Sequence, residues 1–137
     1  MTTTLDESQL ARLATFGYLR FPGLFAAEVG AIAAAFEDVW ANNGCGRDRR
    51  PHTGTRRSVL IPFIDQSEYL AALLDDPRIL GLAASLLGPD FNYFTSDGNY
   101  YVGDTPWHSD RWRAGNYRIL KLAFYLDPVD ANSGALR

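Results

Sequence analysis

The hydrophobic pattern of this chain changes near residue 90, and that change restricts the folds available to it. Before it, apolar residues recur at helical spacing, most clearly over 26–41. The apolar stripe of that predicted helix consists of Val29, Ile32, Ala33, Phe36 and Trp40. From Phe91 onward, aromatic residues become frequent, which favours strands. Helices followed by strands indicate an α+β fold, or a β fold decorated with helices.

The first 90 residues are predicted to be mainly helical, with short strands. Thr4-Leu5-Asp6-Glu7 fits a capping box with Thr4 as N-cap, and Gly17 is suited to end the helix that follows. Residues 18–87 carry the signals of two strands and two further helices. Strands are predicted over 18–21 and 58–63, and helices over 67–74 and 77–87.

The residues from 91 to 137 are predicted to hold the first core strands, over 91–102 and 118–126. A turn at Gly103-Asp104-Thr105-Pro106 separates them. Only about four or five strands can be placed in the whole chain, whereas a jelly roll needs about eight. The length of 137 residues is that of one domain, 1–137.

Composition excludes several classes of partner. The net charge of −3 gives no reason to expect nucleic acid, and no apolar run approaches a membrane-spanning length. The N-terminus lacks the pattern of a signal peptide, and the lone Cys45 cannot form an internal disulfide. We therefore expect a cytoplasmic protein. Cys45 as a nucleophile is a weaker alternative, because no base adjoins it.

The segment 43–57 is rich in glycine and arginine and is predicted to be a loop. Its arginines are Arg47, Arg49, Arg50, Arg56 and Arg57. One interpretation is a solvated surface loop. The other is a lid over an anionic substrate or co-substrate.

Trp107-His108-Ser109-Asp110 carries the clearest chemistry in the chain. Residues two apart on a strand share a face, so His108 and Asp110 could both bind one divalent metal. A His-x-Asp pattern is weak by itself. The competing interpretation is a surface His and Asp beside a turn, with Trp107 and Trp112 packed beneath.

These residues resemble the phytanoyl-CoA dioxygenase family of Fe(II)/2-oxoglutarate oxygenases. Phe16-Gly17-Tyr18-Leu19-Arg20-Phe21-Pro22-Gly23-Leu24-Phe25 is similar to the family's opening helix-to-strand passage. Trp107-His108-Ser109-Asp110 matches its Trp-His-x-Asp metal motif, and 120–137 is similar to the strand and turn that follow. The resemblance implies N-terminal helices packed on a jelly-roll (double-stranded β-helix) core, here incomplete.

The resemblance also implies the chemistry. His108 and Asp110 would bind Fe(II), 2-oxoglutarate would be the co-substrate, and the reaction would be hydroxylation-type oxidation of a small organic substrate. An aspartate at the ligand position occupies the place that a halide would need, which favours hydroxylation over halogenation. Alternate residues of the strands before and after the motif share a face, and if those faces point into the barrel, their side chains are candidate contacts of the co-substrate. They are Asn99, Tyr101, Lys121 and Tyr125.

Two parts of the family's site have no counterpart at the expected place. The distal histidine ligand and the arginine that clamps 2-oxoglutarate normally follow the motif, and no histidine follows His108 here. His52 lies upstream in the wrong chain order, and Arg137 sits beside the turn, so both are poor substitutes. We expect the chain to be the N-terminal portion of a longer oxygenase domain, inactive alone.

The alternative is a non-catalytic relative of the fold that acts as a binding or interaction module. Fold alone does not decide between these functions. In either case, an incomplete barrel exposes strand edges, which favours pairing between chains and hence a homo-oligomer.

Overall fold

The computed structural model describes residues 3–43, 52–106, 108, 118–130 and 132–133. In chain order, their elements are α1 (Glu7–Phe16), α2 (Val29–Asn42), β1 (Ser58–Leu60), α3 (Glu68–Ala72), α4 (Pro77–Leu87) and β2 (Gly98–Tyr100). Single 3₁₀ turns lie at Ile64–Gln66 and Leu73–Asp75. Within the described ranges, no helix is both long and apolar enough to cross a bilayer.

Helix α1 begins two residues later than its sequence predicts. Asp6 is the N-cap: its carboxylate accepts a hydrogen bond from the backbone N–H of Gln9 at 2.8 Å, and the Gln9 side chain accepts one from the Asp6 N–H at 3.0 Å. The predicted box with Thr4 as N-cap is therefore wrong. Asp-x-x-Gln supplies the same reciprocal bonds as Thr-x-x-Glu. Gly17 ends the helix with φ 78°, which confirms its predicted role.

The passage between α1 and α2 contains turns rather than the strand predicted over 18–21. Backbone bonds from Leu24 to Phe21 (3.2 Å) and from Ala26 to Gly23 (3.0 Å) fold residues 21–28 into successive turns. Residues 18–21 pair with no strand in the described part of the chain. A β-prone segment without a pairing partner does not become a strand. The turns also delay the start of α2 from Ala26 to Val29.

The core forms where α2 packs against the 58–70 region. Its buried members are Ile32, Val39, Trp40, Leu60, Phe63 and Leu70. The stripe predicted on α2 supplies Ile32 and Trp40, but Val29 is 41% exposed because it lies at the first helical residue, beyond this contact. The Phe36 ring packs at a tilt against the Phe63 ring, with centroids 4.9 Å apart. Burying each large apolar side chain contributes roughly 1.5–3 kcal/mol.

Strands β1 and β2 form an antiparallel pair in which Val59 lies opposite Asn99. The Tyr100 ring packs on Trp40 with centroids 4.9 Å apart, so Tyr100 faces the core. Because side chains alternate along a strand, Asn99 and Tyr101 lie on the other face. We call these the core face and the outer face of the sheet. The strand predicted over 58–63 ends at Leu60, and the Ile61–Pro62 peptide that follows is cis.

Helix α4 spans Pro77–Leu87, as predicted, and Arg78 in its first turn ties it to the turn before α2. The Arg78 guanidinium donates to Asp76 (2.8 Å), to Glu28 (2.8 Å) and to the Leu24 carbonyl (2.7 Å). It also lies 3.9 Å from the centroid of the Phe25 ring. Hydrogen bonding from Arg78 lowers the pKa of the Asp76 carboxyl to about 2. One arginine thus joins the start of α4 to the turn segment before α2, about fifty residues away in sequence.

The last part of the chain contains less sheet than its sequence predicts. Of the strand region 91–102, only Gly98–Tyr100 is a strand, and 118–126 joins no sheet in the described residues. Leu126 packs against the core, and the Phe124 ring lies 5.2 Å from that of Phe25. The jelly-roll core stays a prediction, since one two-stranded sheet does not define that fold.

Candidate functional site

Five polar or aromatic side chains meet on and beside the outer face of the sheet, and we call them the outer-face cluster. They are Arg57, Asp97, Asn99, Tyr101 and Lys121. Arg57 directly precedes β1, and the strand register carries it alongside Tyr101. Its Nε and Nη2 donate to the Asn99 side-chain oxygen at 2.9 and 2.7 Å. Its guanidinium also lies 4.5 Å from the centroid of the Tyr101 ring.

Asp97 joins the two cations of the cluster. Its carboxylate accepts a hydrogen bond from the Asn99 amide, and it lies 4.0 Å from Arg57 and 4.0 Å from Lys121. The side chains of Arg57 and Lys121 are 40% and 58% exposed. The cluster thus presents two partly exposed cationic side chains, a type of group that can attract an anionic ligand.

Three of the four predicted co-substrate contacts therefore share one surface. Asn99 and Tyr101 both contact Arg57, and Lys121 approaches Asp97. Tyr125 does not join them: its side chain is 54% exposed, and no contact with the cluster is found among the described residues. Strand parity identified the shared face of Asn99 and Tyr101, because alternation depends only on local backbone geometry.

Arg57 is the member that sequence reasoning did not place. The sequence places it in the basic loop 43–57, as one of five arginines with similar neighbours. Its position depends on the pairing of Ser58 with Tyr100, a contact between residues far apart in sequence. The only local signal was its place directly before the β-prone Ser58-Val59-Leu60.

His52 lies on the core face of the sheet. Its ring stacks on Tyr100 with centroids 4.7 Å apart, and its Nδ1 is 3.0 Å from the Ser58 hydroxyl. The Tyr100 hydroxyl in turn donates to Glu37 at 2.6 Å. Burial, and next the bond to Glu37, raise the pKa of the Tyr100 phenol. These contacts give His52 a packing role and place its ring away from the outer-face cluster.

His108 is held by the turn that precedes it. Its Nδ1 lies 2.9 Å from the Pro106 carbonyl oxygen. A carbonyl only accepts hydrogen bonds, so the proton of a neutral His108 ring is on Nδ1 and the lone pair is on Nε2. Metal-binding histidines are commonly oriented by such a bond from the second nitrogen. The bond to the Pro106 carbonyl thus fixes the orientation of the His108 ring.

Several predicted site residues lie outside the described residues. Asp110, the second predicted metal ligand, is one of them. Others are Cys45, Trp107, Trp112 and Arg137, together with most of the basic loop. Among the residues that are described, no three histidine, cysteine or acidic side chains come together to hold a metal. Both predicted ligands, His108 and Asp110, therefore stay sequence-based predictions.

Comparison of the chain with known protein families, with curated proteins and with solved structures finds no match.

Proposed function

We propose that this chain is part of an Fe(II)/2-oxoglutarate-dependent oxygenase that hydroxylates a small organic substrate, with His108 and Asp110 as two of the metal's protein ligands. The observation that carries the proposal is the bond between His108 Nδ1 and the Pro106 carbonyl oxygen at 2.9 Å. With the proton of the neutral ring on Nδ1, Nε2 carries the lone pair through which an imidazole binds a metal. Asp110, two residues later, would add a hard anionic oxygen.

The outer-face cluster supports the second half of the proposal, the binding of 2-oxoglutarate. This co-substrate carries two carboxylates, and the cluster presents Arg57 and Lys121 together. Asn99 holds one edge of the Arg57 guanidinium, which fixes the direction of its remaining N–H groups. We assign Asn99, Tyr101 and Lys121 to the co-substrate as in the sequence-based prediction, and add Arg57.

In this proposal the chain's own residues position and orient the reactants. The iron, when bound with 2-oxoglutarate and dioxygen, supplies the oxidising power. His108, oriented through Pro106, would fix one coordination direction. Arg57 and Lys121 would counter the charge of the co-substrate, and the Tyr101 ring would hold the Arg57 guanidinium in place.

The test is anaerobic absorption spectroscopy of the protein with Fe(II) and 2-oxoglutarate. Chelation of Fe(II) by the 2-oxo acid gives a visible charge-transfer band, which reports binding without turnover. We expect the band in the wild type, its loss in His108→Ala, and weaker 2-oxoglutarate binding in Arg57→Gln. His52→Ala is the matched control and keeps the band. Absence of the band in the wild type at saturating ligand would contradict the proposal.

A binding module without oxygenase activity is the second candidate. The observation that favours it is the exposed apolar segment at 118–130, where Ile119 is 60% and Tyr125 is 54% exposed. Such surfaces are typical of protein contacts. The charge-transfer band of Fe(II) with 2-oxoglutarate distinguishes the two candidates, because a protein that acts only as an interaction module does not give it.

A further inference from the structure

The side-chain amide of Asn99 stands between a carboxylate and a guanidinium. Its nitrogen donates to the Asp97 carboxylate, and its oxygen accepts from Nε and Nη2 of Arg57 at 2.9 and 2.7 Å. A carboxylate only accepts hydrogen bonds, and a guanidinium only donates them. The two neighbours therefore permit one orientation of the amide, because the reversed amide would set donors against donors and acceptors against acceptors.

Asp97 reaches Arg57 through this amide rather than by a close ion pair. The Asp97 Oδ2 atom lies 4.0 Å from Nη2 of Arg57, whereas the Asn99 oxygen lies 2.7 Å from the same nitrogen. A separation of 4.0 Å is too long for a hydrogen bond, and ion pairs between partly exposed side chains contribute little. The direct hydrogen-bond partner of Arg57 is thus a neutral amide, which the carboxylate orients.

The Arg57 guanidinium is held along one edge and on one face. Asn99 occupies the edge formed by Nε and Nη2, and the guanidinium carbon lies 4.5 Å from the centroid of the Tyr101 ring. The end formed by Nη1 and Nη2 carries the N–H groups that these contacts leave, and the side chain is 40% exposed. The two oxygens of a carboxylate match such a pair of parallel N–H groups.

We propose that Asp97 is a positioning residue for the binding of a carboxylate by Arg57. Asp97 fixes the Asn99 amide, and the amide fixes the guanidinium with its Nη1–Nη2 end available to the ligand. This role rests on the proposed function, in which the ligand is 2-oxoglutarate. A direct electrostatic effect of Asp97 would have the opposite sign, because a negative charge beside the site repels an anion. The sign of the Asp97 effect therefore distinguishes positioning from charge.

Titration of the isotope-labelled protein with 2-oxoglutarate in the absence of metal, followed by NMR, measures this binding apart from the iron site. Asp97→Ala should weaken the binding roughly five- to tenfold, the size of one net hydrogen bond, although it removes a negative charge. Asp97→Asn keeps an oxygen that accepts from the Asn99 amide and should recover most of the loss. Asp90→Ala is the matched control, because it removes the same charge at an exposed position outside the cluster. Tighter binding in Asp97→Ala, or equal effects of the two Asp97 substitutions, would overturn the proposal.

A double-mutant cycle tests whether Asp97 acts through Asn99. In an Asn99→Ala background, Asp97→Ala should cause no further weakening of 2-oxoglutarate binding, because the amide that Asp97 orients is gone. Lys121 also lies 4.0 Å from Asp97, and an effect passed through Lys121 would persist in this background. A persistent several-fold loss would therefore overturn the proposed route through the amide.

The Nε–H signal of Arg57 reports the positioning before any ligand is added, and Arg57→Gln identifies that signal. We expect slow exchange of this proton with water in the wild type and in Asp97→Asn, and faster exchange in Asp97→Ala. Equally slow exchange in Asp97→Ala would overturn the proposal. If the wild type and Asp97→Ala bind 2-oxoglutarate equally well, the positioning role fails while the proposed co-substrate site stands. A wild type that does not bind 2-oxoglutarate would overturn both.

Discussion

Gly98 on β2 lies directly under the ring of Phe63, so closely that a Cβ atom on residue 98 would overlap the ring carbons. Phe63 is only 3% exposed and is packed between Phe36 and Trp40, so its ring has no room to withdraw. This contact sets how near β2 approaches the core. It therefore sets where Asn99 and Tyr101 stand on the outer face.

Gly98→Ala is expected to destabilise the protein by about 1–3 kcal/mol, since the added methyl overpacks a tight core. Gly30→Ala is the matched control, because nothing lies within 4 Å of a Cβ at Gly30 in α2. Gly30→Ala should leave the stability unchanged or raise it by up to about 1 kcal/mol, because alanine has a higher helix propensity than glycine. Urea unfolding of both variants measures the difference. Equal effects of the two substitutions would contradict the role assigned to Gly98.

Stability is expected to fall as the pH drops from about 4 to about 2, through the titration of Asp76. The hydrogen bond from Arg78 lowers the pKa of Asp76 from 3.8 to about 2 in the folded protein. The ionised carboxylate therefore stabilises the fold fully above the pKa of the unfolded state, and this stabilisation is lost as the pH falls through the pKa of the folded state. Asp76→Asn keeps an N-cap oxygen but removes the charge. Thermal unfolding at pH 2 to 5 should therefore show a shallower loss of melting temperature in this variant. A slope as steep as that of the wild type would exclude Asp76 as the cause.

Asp6→Ala is expected to lower the melting temperature, because it removes the acceptor for the Gln9 N–H at the start of α1. Thr4→Ala tests the rejected alternative, in which Thr4 is the N-cap, and should leave the melting temperature nearly unchanged. Circular dichroism melts of the two variants compare them directly. A larger loss from Thr4→Ala than from Asp6→Ala would restore the sequence-based capping box.

The elements that sequence patterns predicted well are those whose signals are local. Pro77 begins α4, Gly88 ends it and Gly17 ends α1, because each of these residues has a backbone preference that acts within one turn. The prediction of a strand over 18–21 was wrong, since a strand requires a pairing partner that local sequence does not specify. Residues 22–28 form turns whose anchor is Arg78, more than fifty residues away.

The candidate site likewise has features that local sequence predicts and features that depend on contacts between distant residues. Alternation along β2 placed Asn99 and Tyr101 on one face, and the structure agrees. The position of Arg57 beside them depends on the pairing of β1 with β2, which no local pattern specifies. His108 was identified by its motif, but its orientation by the Pro106 carbonyl depends on the turn conformation.

The most direct test of the proposed metal site is paramagnetic broadening of NMR signals by Mn²⁺, which maps the ion's position without any turnover. We expect broadening centred on residues 106–110 in the wild type and in His52→Ala, and its loss from that region in His108→Ala. Broadening centred on another acidic group, or unchanged in His108→Ala, would contradict the assignment of His108 as a ligand.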